Sequence, residues 1–132
     1  MPWWDVISKT IHVGDILFTP GKGLEGGKKK KPFKVISMEQ SGVVIQSGGS
    51  SIHIETECFN AIEKAFQDNP EAQLRIASLH GNEAFKNSAD AIIRTATGSN
   101  LARGNYVCSM LEYCKLVKYS MQVNKKVIVL PL

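Results

Sequence analysis

The spacing of apolar positions changes character near residue 56. Before it, apolar residues alternate or run in short blocks between turn residues; after it, they recur at helical spacing until near the C-terminus. In the first part, Val13-Gly-Asp-Ile-Leu-Phe-Thr19 stops at Pro20-Gly21. Pro32-Phe-Lys-Val-Ile-Ser-Met38 places Phe33, Val35 and Ser37 on one side and Lys34, Ile36 and Met38 on the other. Gly42-Val-Val-Ile-Gln46 and Ser51-Ile-His-Ile-Glu55 follow, separated by Ser47-Gly-Gly-Ser50. These runs predict four short strands with tight turns. Such strands are expected to curl into a small SH3-like barrel or a strongly bent sheet, since a flat sheet leaves its edges bare. Ahead of them, Trp3, Trp4, Val6 and Ile7 predict either a helical turn over the core or a first extended segment. At least one Trp should be packed, because exposing two is costly.

In the second part, Phe59, Ile62 and Phe66 fall on one face of a helix over residues 56–67, with Thr56 as its expected cap. Pro70 suits a helix start and Gly81 a stop, so residues 71–80 read as helix, although Leu74, Ile76 and Ser78 alternate as a strand would. Asn87 or Ser88 caps a further helix. Asp90 stands in its first turn, where the dipole favours a carboxylate, with Ala89, Ile92, Ile93 and Ala96 as its stripe and Gly98 at its end. Val107, Met110, Leu111 and Cys114 then fix the buried face of a second helix. Its outward face should carry Arg103, Asn105, Tyr106, Ser109, Glu112 and Tyr113. Gly104 weakens the first turn. Two extended runs, 116–122 and 125–130, close the chain as a hairpin turning at Asn124.

Charge sharpens the picture. The net charge of +4 is concentrated in two places. Residues 86–132 carry about +5, from Lys86, Arg94, Arg103, Lys115, Lys118, Lys125 and Lys126 against Asp90 and Glu112. Residues 22–34 also carry about +5, mostly from Lys28, Lys29, Lys30 and Lys31 in a glycine-rich stretch. That stretch lacks the Ser or Thr of a phosphate-binding loop and leads into a strand. It reads as a basic arm able to follow phosphates by charge alone, or as a solvated loop. Two basic patches on a mildly acidic body suit a polyanion.

Leu111-Glu-Tyr-Cys-Lys-Leu-Val-Lys-Tyr119, followed by Lys125-Lys-Val-Ile-Val-Leu130, resembles the end of a winged helix-turn-helix domain. In that family the recognition helix closes on L-E-x-x-G-L-V and a two-stranded wing follows. Lys115 stands where the family often has Gly. The resemblance covers about a third of the chain. It implies that the second helix enters a major groove, with Arg103 at a guanine edge and Asn105 at an adenine edge. It further implies that Tyr106 and Ser109 hold base or phosphate, and that Arg94, Lys118, Lys125 and Lys126 contact phosphates.

Other chemistry has little support. Cys58, Cys108 and Cys114 are an odd number without metal-site or disulfide spacing, so they read as core residues and no metal or cofactor is expected. His53 with Cys58 is the only nucleophile pair worth naming. Asp15, Glu39, Glu55 and Glu57 lack the spacing of a nuclease. No apolar run approaches the roughly 18 residues of a membrane span, and no signal peptide opens the chain, so an intracellular, cytoplasmic protein is expected.

The sequence thus predicts an α+β protein. A β-rich, barrel-like subdomain with its following helix occupies residues 1–67, and a helical region with a winged helix occupies residues 68–132. The expected function is non-enzymatic binding of double-stranded DNA through recognition helix, wing and the Lys28 to Lys31 loop. A protein-interaction module and an RNA-binding protein are the alternatives, with a homodimer left open.

Overall fold

The opening segment is helical. In the computed structural model, which describes residues 2–21, 30–76, 88–122 and 125–131, α1 runs Trp3–Thr10. Its two indoles lie half-buried against the next helix. Trp3 meets Phe66 at 6.1 Å and Trp4 meets Phe59 at 5.4 Å between ring centroids. The twin Trp are packing residues first.

Four strands follow: β1 (Ile16–Phe18), β2 (Pro32–Glu39), β3 (Gly42–Ser47) and β4 (Ser50–Glu55). They pair antiparallel in the order β1-β2-β3-β4, with β1 and β4 left as edges. The sheet therefore does not close into a barrel. Both edge strands are short, which limits what a bare edge can recruit; β1 touches a helix of the C-terminal half and β4 the helix that follows it. Register slips between Val35 and Ser37, leaving Ile36 as a bulge. The extra residue reverses the alternation beyond it. Met38, expected on the side opposite Phe33, consequently packs against the same core.

Helix α2 spans Thr56–Asp68, with Glu55 rather than Thr56 at its N-cap and no side-chain cap bond. Residues 71–76, expected to be helical, contain the strand β5 (Leu74–Arg75) instead. Pairing decides this: Leu74 lies opposite Ile128 and Arg75 opposite Val127. Residues 77–80 of that expected helix lie outside the described residues. Helix α3 (Ala89–Thr97) is capped by Ser88, whose Oγ accepts the Ala91 N–H at 2.9 Å, and ends on Gly98 in the left-handed region. Each such cap contributes about 1 kcal/mol. Asn87, the other expected cap, is not described.

Helix α4 is Gly104–Tyr113. Lys115 follows it at φ 62. The Leu116 N–H reaches back to the Leu111 carbonyl and the Lys115 N–H to that of Glu112, each at 2.9 Å. This is a Schellman end with lysine at the position glycine normally fills. The hairpin β6 (Lys118–Gln122) and β7 (Lys125–Val129) completes a second antiparallel sheet, ordered β5-β7-β6. The described residues thus form four helices and two sheets. One apolar cluster joins them, from Ile7 through Phe33, Val35 and Ile54 to Ile62, Ile93, Leu111 and Ile128. Each fully buried side chain of this kind contributes about 1.5–3 kcal/mol.

Candidate nucleic-acid interface

Helix α4 is held between α3 and the four-stranded sheet, and this decides what its side chains can reach. Its first turn carries no cap of its own. Instead Asp90, buried on α3, accepts the backbone N–H groups of Arg103 at 3.2 Å and Gly104 at 3.3 Å. Gly104 permits that approach, because a Cβ there would stand 2.5 Å from the Ile76 carbonyl and 2.9 Å from Asp90 Cβ. The glycine that seemed to weaken the helix is what lets it dock.

Half of the outward face expected of α4 turns inward. Arg103 is 1% exposed. Its guanidinium donates to the Glu55 carboxylate, to the His53 carbonyl at 2.9 Å and to Thr97 Oγ1 at 3.0 Å. Tyr106 sits edge-on to Phe33 at 5.2 Å and donates its hydroxyl to Ser47 Oγ at 3.2 Å. Ser109 is buried and donates to the Phe18 carbonyl. Arg103, Tyr106 and Ser109 are therefore interface residues between α4 and the sheet. Asn105 remains exposed, as do Glu112 and Tyr113. Arg94, expected at phosphate, is mostly buried and pairs with Asp90 at 3.1 Å.

Glu55 lies under opposing influences. Burial pushes its carboxyl up, but its own backbone N–H and the Arg103 guanidinium together hold it below its ordinary 4.5. Cys58 donates to the same carboxylate at 3.6 Å, and burial raises its thiol to about 12. The thiol is thus bonded to Glu55 rather than to His53. Among the described residues, no three His, Cys, Asp or Glu side chains cluster as metal ligands. No helix among them is long and apolar enough to cross a membrane.

The two basic segments meet. Thr19 and Lys31 exchange backbone and side-chain bonds at 2.8 Å, closing the base of the Gly/Lys segment. Against that base, Lys126 of β7 donates to the Pro20 carbonyl across 106 residues of chain. Its ammonium also lies 4.8 Å from the centre of the Tyr119 ring, while Lys30 lies 5.5 Å from that of Phe18. Burial lowers Lys126, and the nearby Lys30 charge lowers it further. Lys30, Lys31, Lys118 and Lys125 are exposed. Lys28 and Lys29 lie outside the described residues. Lys126 of the hairpin thus meets Lys30 and Lys31 of the Gly/Lys segment, and Lys126 and Lys30 are backed by aromatic rings, an arrangement worth about 0.5–1 kcal/mol each at exposed sites.

The ring contacts of Phe18 and Tyr119 escaped the sequence reading, as did the capping of α4 by Asp90. The alternation of β1 marks Phe18 as one-sided, but nothing local signals its lysine. No protein-family model, curated protein or solved structure matches the chain.

Proposed function

We propose that the protein is a non-enzymatic DNA-binding protein that grips the duplex backbone through the β6–β7 hairpin and the base of the Gly/Lys segment. The observation that carries this reading is the meeting of Lys126 with the base of the Gly/Lys segment beside Lys30 and Lys31, with Lys118 and Lys125 exposed on the same hairpin. The order helix, strand, helix, helix, hairpin, from α2 to β7, supports reading the C-terminal half as a winged helix whose wing is β6–β7. In this reading α4 is a scaffold rather than a reader of bases, because the sheet occupies Arg103, Tyr106 and Ser109. Asn105 is the one proposed base-reading residue left in the open. Binding is then dominated by phosphate contacts, which position without specifying.

Salt tests it. Four or five lysine–phosphate contacts give a slope of about −4 in log K against log salt, or roughly a 250-fold loss between 50 and 200 mM. Replacing Lys118 and Lys125 together by Ala should make the slope shallower by about 2. No binding of any duplex at about 50 mM salt would refute the reading. That result would favour a protein-interaction module instead, for which the exposed apolar side chains Val13, Ile16 and Phe18 along one edge speak.

A further inference from the structure

A cleft of about 370 Å³ opens beside the lysine edge, between β1, α4 and β6. That size lies within the range of small-ligand sites. Phe18, Tyr113 and Tyr119 line it, together with Lys30, Glu112 and Thr19. Phe18 is 46% and Tyr113 50% exposed, and Ile16 beside them is also exposed. Three of the exposed large hydrophobic side chains, Ile16, Phe18 and Tyr113, gather at this one cleft, and such a cluster marks a contact surface.

The chemistry of the lining narrows the ligand. The exposed rings of Phe18 and Tyr113 offer faces for a flat, polarisable group, while Lys126 lies over the ring of Tyr119. Lys30 stands in the wall, and Lys126, above the Tyr119 ring, is bonded to Pro20, another residue of the lining. The Glu112 carboxylate accepts hydrogen bonds and donates none. A flat ring with a donor amino group, attached to a backbone bearing anions, fits all three features. Bases provide the stacking face, and adenine, cytosine and guanine provide the amino group.

We propose that this cleft takes one unpaired nucleobase, stacked on Tyr113 and Phe18, with Lys30 and Lys126 holding the phosphates beside it. A base within an intact duplex is stacked on both faces and paired along its edge, so only an extruded or single-stranded base enters. The inference rests on the DNA-binding reading above and names the kind of DNA this edge prefers.

The full-length chain is titrated by fluorescence anisotropy with four labelled probes of one sequence. They are a paired duplex, the duplex with one unpaired adenine, the duplex with one unpaired thymine, and the single strand. Stacking of one base should tighten binding of the adenine-bulged duplex about 5- to 150-fold over the paired one. Thymine, without an amino group for Glu112, should gain less. Tyr113→Ala should remove most of the gain and leave the paired duplex unchanged; Phe18→Leu, which keeps apolar volume but removes the ring that also backs Lys30, should likewise remove most of the gain, read as the ratio of bulged to paired affinity. Circular dichroism confirms that both variants fold. A single strand matching the bulged duplex identifies single strands as the source of the base, and a weaker one identifies extruded bases. Equal binding of paired and bulged duplexes overturns the cleft assignment while the backbone grip stands. A gain that survives Tyr113→Ala and Phe18→Leu overturns it too, since it then reflects bulge flexibility. Failure of every probe to bind at low salt overturns both proposals.

Discussion

Replacing Arg103 separates two ways α4 could work. If the helix read bases, Arg103→Ala would relax sequence preference and leave stability nearly unchanged. The packing says the reverse. The substitution removes three hydrogen bonds, one to a carboxylate, and the side chain is almost fully buried. Breaking a fully buried ion pair costs about 3–5 kcal/mol. Glu55, however, keeps about a third of its side chain exposed, so water can rehydrate its carboxylate. The ion-pair share is accordingly discounted to about 1–2 kcal/mol. Truncating the stem removes two buried methylenes, at about 0.8 kcal/mol each. One compensation runs the other way: Arg103 Nε is buried without a partner, and its loss costs nothing. The sum is about 3 kcal/mol, or roughly 10 °C in Tm for a domain of this size. Urea unfolding of wild type, Arg103→Ala and Arg103→Lys measures it, with lysine intermediate because it keeps the charge but not the fork. DNA binding, measured well below the variant's Tm, should keep its affinity and sequence profile. An Arg103→Ala variant as stable as wild type to within about 0.5 kcal/mol, with altered sequence preference, would refute the packing of α4 against the sheet.

Lys115 pays a left-handed penalty of about 1–2 kcal/mol, so Lys115→Gly should stabilise by up to about 1 kcal/mol after glycine's greater chain entropy is subtracted, read as a raised urea midpoint. Gly104→Ala should destabilise by about 1–3 kcal/mol in the same assay, because its methyl meets backbone at the Ile76 carbonyl. Acid should weaken the fold through Glu55. Its folded carboxyl titrates below 4.5, so the unfolded chain binds the proton first as pH falls. The contribution is full above about pH 4.5 and is lost as pH drops through the folded value. Glu55→Gln should flatten urea midpoints measured between about pH 3 and 6; parallel curves for the two proteins would exclude Glu55 as the source.

Features set by nearby residues were legible in the sequence. The stripes of α2 and α4, the Ser88 and Gly98 ends of α3, the glycine-rich turns between β2, β3 and β4 and the β6–β7 hairpin each follow from residues within a few positions. Features set by distant partners were not. Arg103 reads locally as a surface cation near a helix start, yet its partners are about 50 residues upstream on β4. β5 is two residues long and exists because Ile128 and Val127 lie opposite it. Asp90 reads correctly as a first-turn carboxylate, but its second task, capping the next helix, depends on how α3 meets α4. Strand count alone did not fix whether the first sheet closes, since β1 and β4 stay unpaired at its edges. The two lysine groups were each visible, and only the fold brings Lys126 to Lys30 and Lys31.

The roof that the first sheet forms over α4 also divides the molecule by how freely it can vary. Tyr106 and Ser109 are bound to Ser47 and to the Phe18 backbone, so a change in one must be matched across the contact. Lys118 and Lys125 stand in solvent, as do Lys31 and Lys30, the last lying over the ring face of Phe18. Descendants of this sequence can therefore retune charge along the edge one residue at a time, while the helix beneath the sheet changes only in compensated pairs.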